Sequence, residues 1–230
     1  MSFSPVHVFL PCRGGSQRVP NKNTRSFAGI EGGLLAVKLR QLAEAEEIAS
    51  VTVNTDDPDV IRIAEKMRPA FRIDLHISER PPALAAAGTL DDFVSYVPTI
   101  MPQGVVLWTH VTSPFFDGAE IDRSVLSYRC EVESGAYDSL MGVSRIQTFL
   151  WNEKGCISHD REAVKWPQTQ DLEPIFEVNS SVFMIERDEM MRRCDRIGGR
   201  PFLMEVAKVP SIDIDWPEDF ELAEKLSRVL

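Results

Sequence analysis

The sequence predicts an α/β fold with a doubly wound, mostly parallel sheet, and three observations carry that expectation. Short apolar runs rich in β-branched residues alternate with segments of helical spacing from Val6 to about Ser134. Helix-start signals stand between the runs. One run, "GVVLWTHVT" (Gly104 to Thr112), is apolar almost throughout, as a strand covered on both faces must be, and takes the central place. Alternation of this kind sets parallel strands side by side with helices above and below.

In chain order, "VHVFLP" (6–11) reads as the first strand and Leu34 to Ala45 as a helix. "SVTVNT" (50–55) is the second strand. Asp57 is placed as an N-cap with Pro58 at the first helical position, and Val60, Ile63, Ala64 and Met67 line one face. "FRIDLHI" (71–77) is the third strand, and "TLDDFVSYV" opens a helix with Thr89 and Asp92 as a capping pair. Asp117 and Glu120 form a second capping box before Ile121, Val125 and Tyr128. The rhythm then breaks. Residues 135–185 hold strand-like pieces ("DSLMGVS", "TFLWN", "FEVNSSVFMI") around a polar stretch, which reads as a β-rich excursion within a single domain of residues 1–230. A helix near Asp188 to Arg196, a strand "LMEVAKV" and a final helix from Pro217 to Leu230, with Phe220, Ala223 and Leu226 inward, complete the chain.

Bulk properties narrow the function classes. A formal net charge of −10 argues against a general nucleic-acid binder, which needs a broad basic surface. Cys12, Cys130, Cys156 and Cys194 lie far apart without a CxxC pair, so free thiols in a reducing compartment are expected. The N-terminus lacks a basic region followed by a long apolar core, and no apolar run approaches a membrane-spanning length. These features lead us to expect a soluble, cytoplasmic protein.

The first loop, "LPCRGGSQRVPNKN" (Leu10 to Asn23), is cationic in an acidic chain and contains Gly14-Gly15. In open α/β sheets ligands bind beyond the carboxyl ends of the strands. Adjacent glycines let backbone N–H groups approach an anion closely, and Arg13 and Lys22 add full charges. Neither GxxxxGK[ST] nor GxGxxG is present, so the loop is neither a P-loop nor a dinucleotide fingerprint. By composition alone a solvated turn explains it as well as a phosphate cradle does.

The order of residues in "LPCRGGSQRVPNKNTRSFAG" resembles the N-terminal signature of the acylneuraminate cytidylyltransferases, which activate sialic and related nonulosonic acids. Further segments match in the same order: "VTVNTDD", "RPPALA", "WTHVTSPFF", "QDLEPIFEVNSSVFMI" and "SIDIDWPEDFELAEKL". The resemblance implies a Rossmann-like nucleotidyltransferase fold whose excursion carries dimer contacts, and hence a homodimer. It implies a CTP site in which Arg13, Gly14, Gly15, Ser16, Lys22 and Asn23 wrap the triphosphate and Arg80 reads cytosine. His110, where the family has a glutamine, and Asn179 would face the acceptor sugar. Cys12 stands for an alanine, Phe116 for an arginine, and Ala87 at or near a usual aspartate.

Asp213 and Asp215 are two residues apart, so in an extended segment both carboxylates point the same way, as hard oxygen ligands for Mg²⁺ must. A helix-capping Asp215 would leave Asp213 unexplained. The resemblance thus implies Mg²⁺-dependent transfer of CMP from CTP to a keto-acid sugar, with Arg13, Lys22 and Asp215 catalytic and Asp213 and Asp215 on the metal. Two alternatives stay open on the sequence: a same-fold transferase for another keto-deoxy sugar, and a non-catalytic nucleotide-binding relative.

Overall fold

The computed structural model describes residues 3–86 and 89–230, and the strands form a seven-stranded sheet. β1 (Val6–Pro11), β2 (Ser50–Thr55), β3 (Asp74–Glu79) and β4 (Val105–Trp108) are parallel, in the order β3-β2-β1-β4. The sheet continues past β4 through β5 (Ser139–Ile146), β8 (Ile175–Glu186) and β9 (Pro201–Glu205), in the order β4-β8-β5-β9. β8 runs antiparallel to both neighbours, while β5 and β9 are parallel to each other. β6 (Trp151–Asn152) and β7 (Gly155–Cys156) make a separate small hairpin.

Strand alternation builds a core on each face. Val8 and Leu10 of β1, Leu107 of β4 and Met184 of β8 pack with α1 (Gly33–Glu44), α2 (Pro58–Met67), α5 (Gly118–Glu131) and α7 (Pro217–Leu226). Phe9, Trp108 and Phe183 turn to the other face, under α4 (Leu90–Ile100) and α6 (Arg187–Arg193). Full burial of each such side chain is worth roughly 1.5–3 kcal/mol, so a one-residue slip of any central strand would exchange both cores. Among the described residues, no helix is long and apolar enough to cross a membrane.

Local signals act largely as expected. Asp57 Oδ1 accepts from Asp59 N at 2.9 Å, and Thr89 and Asp92 cap α4 reciprocally. At α5 only half of the expected box forms: Asp117 accepts from Glu120 N, but the Glu120 carboxylate pairs with Arg123 instead. β4 stops at Trp108, so His110 and Thr112 lie in a loop beyond the sheet. β3 and β9 are displaced by a few residues from their expected spans, α6 ends at Arg193 and α7 at Leu226. The main difference concerns the excursion. β5 and β8 belong to the central sheet, and what leaves it is the arm 147–174 with its small hairpin. The short α3 (Pro82–Ala86) carries no periodic signal of its own.

Candidate active site

β1 sends its chain to α1 on one face, while β4 lies on β1's other side, so the crevice between their carboxyl ends is the switch point of the sheet. A cleft of about 360 Å³ opens there, lined by Arg13, Gly14, Ser16, Lys22 and Asn23 from the loop and by His110, Val111 and Thr112 from the end of β4. Two backbone positions give the loop its shape. Gly15 has φ +69° and Asn21 φ +53°, left-handed values that glycine and asparagine adopt most readily. The Gly14 N–H donates to Asp56 Oδ1 at 2.9 Å, and a Cβ there would make only an ordinary contact, 3.4 Å from Asp57 Cβ. Val19 is buried and anchors the middle of the loop. The Asn23 amide donates to Arg13 O at 3.2 Å, so it braces the loop from within. Beneath it, burial pushes the Cys12 thiol up to about 12, which makes Cys12 an inert packing residue.

The cationic loop meets the acidic pair directly. Lys22 Nζ donates to Ile214 O at 2.7 Å and lies 3.6 Å from Asp215 Oδ1; Arg18 Nη2 reaches the same oxygen at 3.1 Å and stacks over Trp216 at 4.9 Å. The helix-cap role weighed for Asp215 falls to Asp219, whose carboxylate accepts from Asp215 N at 3.0 Å and Trp216 N at 2.7 Å. Asp215's side chain is thereby left for the cleft. Asp213 differs from it: its Oδ1 is buried without a hydrogen-bond partner among the described residues. Burial raises the Asp213 pKa above the ordinary carboxylate value; Thr112 pulls it part of the way back, and Asp215 raises it again against the smaller pulls of Lys22 and Ser180. An orphaned carboxylate oxygen beside a second carboxylate is a donor set that a divalent cation would satisfy, so the residues present fit Mg²⁺. Among the described residues no third His, Cys, Asp or Glu joins them. That too suits Mg²⁺, which commonly takes one or two carboxylates and completes its shell with phosphate oxygens and water.

On the far side, β8 slips register against β5 between Met141 and Val143, which throws Asn179 to Ser181 into a bulge beside the end of β4. Asn179 holds the bulge, donating to Ser144 Oγ at 3.3 Å and accepting from Ser181 N at 3.2 Å. His110 has both nitrogens engaged: Nε2 accepts from Trp108 Nε1 at 3.0 Å, so Nδ1 carries the proton donated to Ser180 O at 2.7 Å. Burial lowers the ring to about 4, and nearby Arg196, Lys38 and Lys22 add to the fall, so His110 is neutral. Nδ1 ties the ring to the bulge and Nε2 ties it to Trp108, and the residue lines the cleft.

Arg80, at the end of β3, does not line this cleft. It is 7% exposed, donates from Nε to Asn54 Oδ1 at 2.9 Å, and lies 4.0 Å above the Phe93 ring, with Nη2 buried and without a partner among the described residues. The expected family aspartate at or near Ala87 falls outside the described residues.

Sequence reasoning missed three contributors. Lys38, fully buried in α1, donates to Phe116 O, and Gln41 donates to Pro114 O at 2.6 Å. Together they fix the turn that carries Thr112. Arg18 was left out because its partner is 197 residues away.

Comparisons with known proteins identify the family. A sequence model of the cytidylyltransferase family matches residues 7–229, so the chain belongs to that family and hence to the nucleotidyltransferases. Among curated relatives, the N-acylneuraminate cytidylyltransferase A of Danio rerio is 24% identical over 96% of this chain and 50% of its own length. A CMP-N,N'-diacetyllegionaminic acid synthase of Legionella pneumophila is 26% identical over 96% of this chain and 95% of its own. The chain thus spans about half the length of the fish relative and nearly all of the bacterial one. Among solved structures, a CMP:2-keto-3-deoxy-manno-octonic acid synthetase complexed with CTP superposes with a TM-score of 0.67 at 15% identity, over 99% of this chain and 100% of that one. A 4-diphosphocytidyl-2C-methyl-D-erythritol synthase from Anaerococcus prevotii gives 0.69 at 9%, over 98% and 99%. At such identities these two establish the shared fold alone.

Proposed function

We propose that this chain transfers CMP from CTP to the anomeric hydroxyl of a nonulosonic, sialic-acid-like keto-acid sugar, releasing pyrophosphate, with Mg²⁺ as cofactor. The observation that carries the reading is the meeting of Lys22 and Arg18 with Asp215 beside the unpartnered Asp213 oxygen, at the switch point of a cytidylyltransferase-family sheet. The substrate class rests on the names of the curated relatives, which concern sialic and legionaminic acids.

The sugar hydroxyl is itself the nucleophile, so the protein's task is to position and to stabilise charge. Arg13, Lys22 and the Gly14–Ser16 backbone hold the β- and γ-phosphates and stabilise the departing pyrophosphate, and Asn23 keeps that loop in shape. Arg80 reads cytosine through its free Nη2. Neutral His110 and Asn179 shape the acceptor side through the β8 bulge. Asp213 and Asp215 would hold the metal, which when bound supplies neutralisation of the α-phosphate and acidifies the attacking hydroxyl.

The homodimer belongs to the same proposal and is supported by the arm 147–174, where Trp151, Ile157, Val164 and Trp166 are exposed. Cytoplasmic location rests on the four free cysteines. Incubating the protein with Mg²⁺, CTP and a panel of nonulosonic acids should release pyrophosphate with at least one sugar, and EDTA should abolish it. Release that needs no divalent ion would remove the metal, and none with any sugar would remove the function.

A further inference from the structure

We infer that Arg196 binds the carboxylate of the acceptor sugar, an assignment that rests on the transferase reading above. Cys194 takes the left-handed conformation (φ +53°), ends α6 and turns the following chain over the sheet face that α6 covers. Arg196 then lies with its guanidinium 4.0 Å from the Phe183 ring centre and 5.0 Å from that of Trp108. Trp108 in turn meets Phe93 edge-on at 5.6 Å, and Phe93 is the ring beneath Arg80. Two guanidinium groups thus stand on one continuous aromatic floor beside the carboxyl end of β4.

Arg196, like Arg80 on the same floor, has no counter-ion among the described residues. Arg62, Arg68, Arg123, Arg129, Arg192 and Arg193 each pair with a carboxylate, whereas Arg196 makes no hydrogen bond or ion pair with any described side chain. The acids near it are its neighbour Asp195 and, across a small cleft of about 430 Å³, Asp91. Burial lowers its pKa, so the charge is held at a cost that a bound anion would offset. A planar guanidinium on an aromatic floor matches a carboxylate in shape and donor geometry. The phosphates have their own cations, Arg13 and Lys22, on the loop. His110 is neutral and both its nitrogens are engaged, so it offers no competing charge.

The test compares the nonulosonic acid that turns over fastest with its methyl ester, read as KM, or as competitive Ki if the ester does not react. Wild type should prefer the acid by about tenfold or more, the scale of one charge-assisted hydrogen bond. Arg196→Gln should raise the acid's KM by about that factor, leave the ester unchanged and hold the KM for CTP within roughly twofold. Arg196→Lys should recover part of the preference. An acid-to-ester ratio in Arg196→Gln equal to wild type overturns the assignment, as does an equal loss for both ligands, which marks a packing role. An active wild type with either result leaves the transferase reading intact. A wild type that turns over no sugar overturns both.

Discussion

Replacing Asp215 by asparagine separates the structural from the chemical role of the acidic pair. The carboxylate takes part in two ion pairs, with Arg18 at 3.1 Å and Lys22 at 3.6 Å. Asp215 and Arg18 are about half exposed, 47% and 48%, so solvent screens their pair to roughly 0.2–1 kcal/mol. The Lys22 pair is longer and involves a better-buried lysine, but the Ile214 carbonyl at 2.7 Å still satisfies Nζ in the variant. Arg18 keeps its stack on Trp216. The folded state should therefore lose no more than about 1–2 kcal/mol, a drop of roughly 2–8 °C in Tm for a chain of this size. Pyrophosphate release should fall by about two orders of magnitude or more, because a neutral amide cannot share a metal with Asp213. Thermal unfolding and an initial-rate assay on the same preparation measure both. A rate within roughly threefold of wild type, or a Tm loss well beyond 10 °C, would refute the reasoning.

Three further outcomes follow from the same site. Burial raises the Asp213 pKa above its unfolded value of about 3.9, so the folded chain binds that proton more tightly, and stability is lost as pH rises through the raised value. Asp213→Asn should accordingly raise the Tm of the metal-free protein at neutral pH, with no gain near pH 3–4, while activity collapses; a lower Tm at neutral pH would contradict this. His110 is lowered to about 4, so the unfolded chain binds more protons between about 6.5 and 4 and stability falls with pH across that window. Glutamine can accept from Trp108 and donate to Ser180, so His110→Gln should flatten the fall in Tm over that window, and an unchanged slope would contradict it. Arg80→Ala removes the stack on Phe93 and the partner of Asn54 Oδ1 and should erode the preference for CTP over other nucleotides; unchanged selectivity would remove Arg80 from base reading.

The parts of the molecule legible in the sequence are those that local chemistry dictates. β1, β2 and the caps at Asp57 and Thr89 follow from residue type and spacing within a few positions. The loop was legible because its adjacent glycines mark a bend among cations, and Gly15 does sit where the backbone turns left-handed. What stayed hidden depends on partners distant in the chain. β5 and β8 join the central sheet through pairings that no local pattern encodes, so their segments read as a detour. The bulge that turns Asn179 inward comes from a register shift between two strands, and Arg18 finds Asp215 only after the whole sheet has formed. Lys38 shows the opposite limit: a lysine on an apolar helix face signals burial, yet its acceptor, Phe116 O, belongs to another loop. Arg196 was read as part of a helix that in fact ends at Arg193, and its place on the aromatic floor depends on that early stop.

The central claim is transfer of the CMP unit, and the fate of the α-phosphate tests it most directly. With CTP labelled at that phosphorus, Mg²⁺ and a nonulosonic acid, the label should move into a single CMP-sugar in step with pyrophosphate release. Label that stays in CTP with every sugar offered, or that appears only in free CMP, would contradict the account.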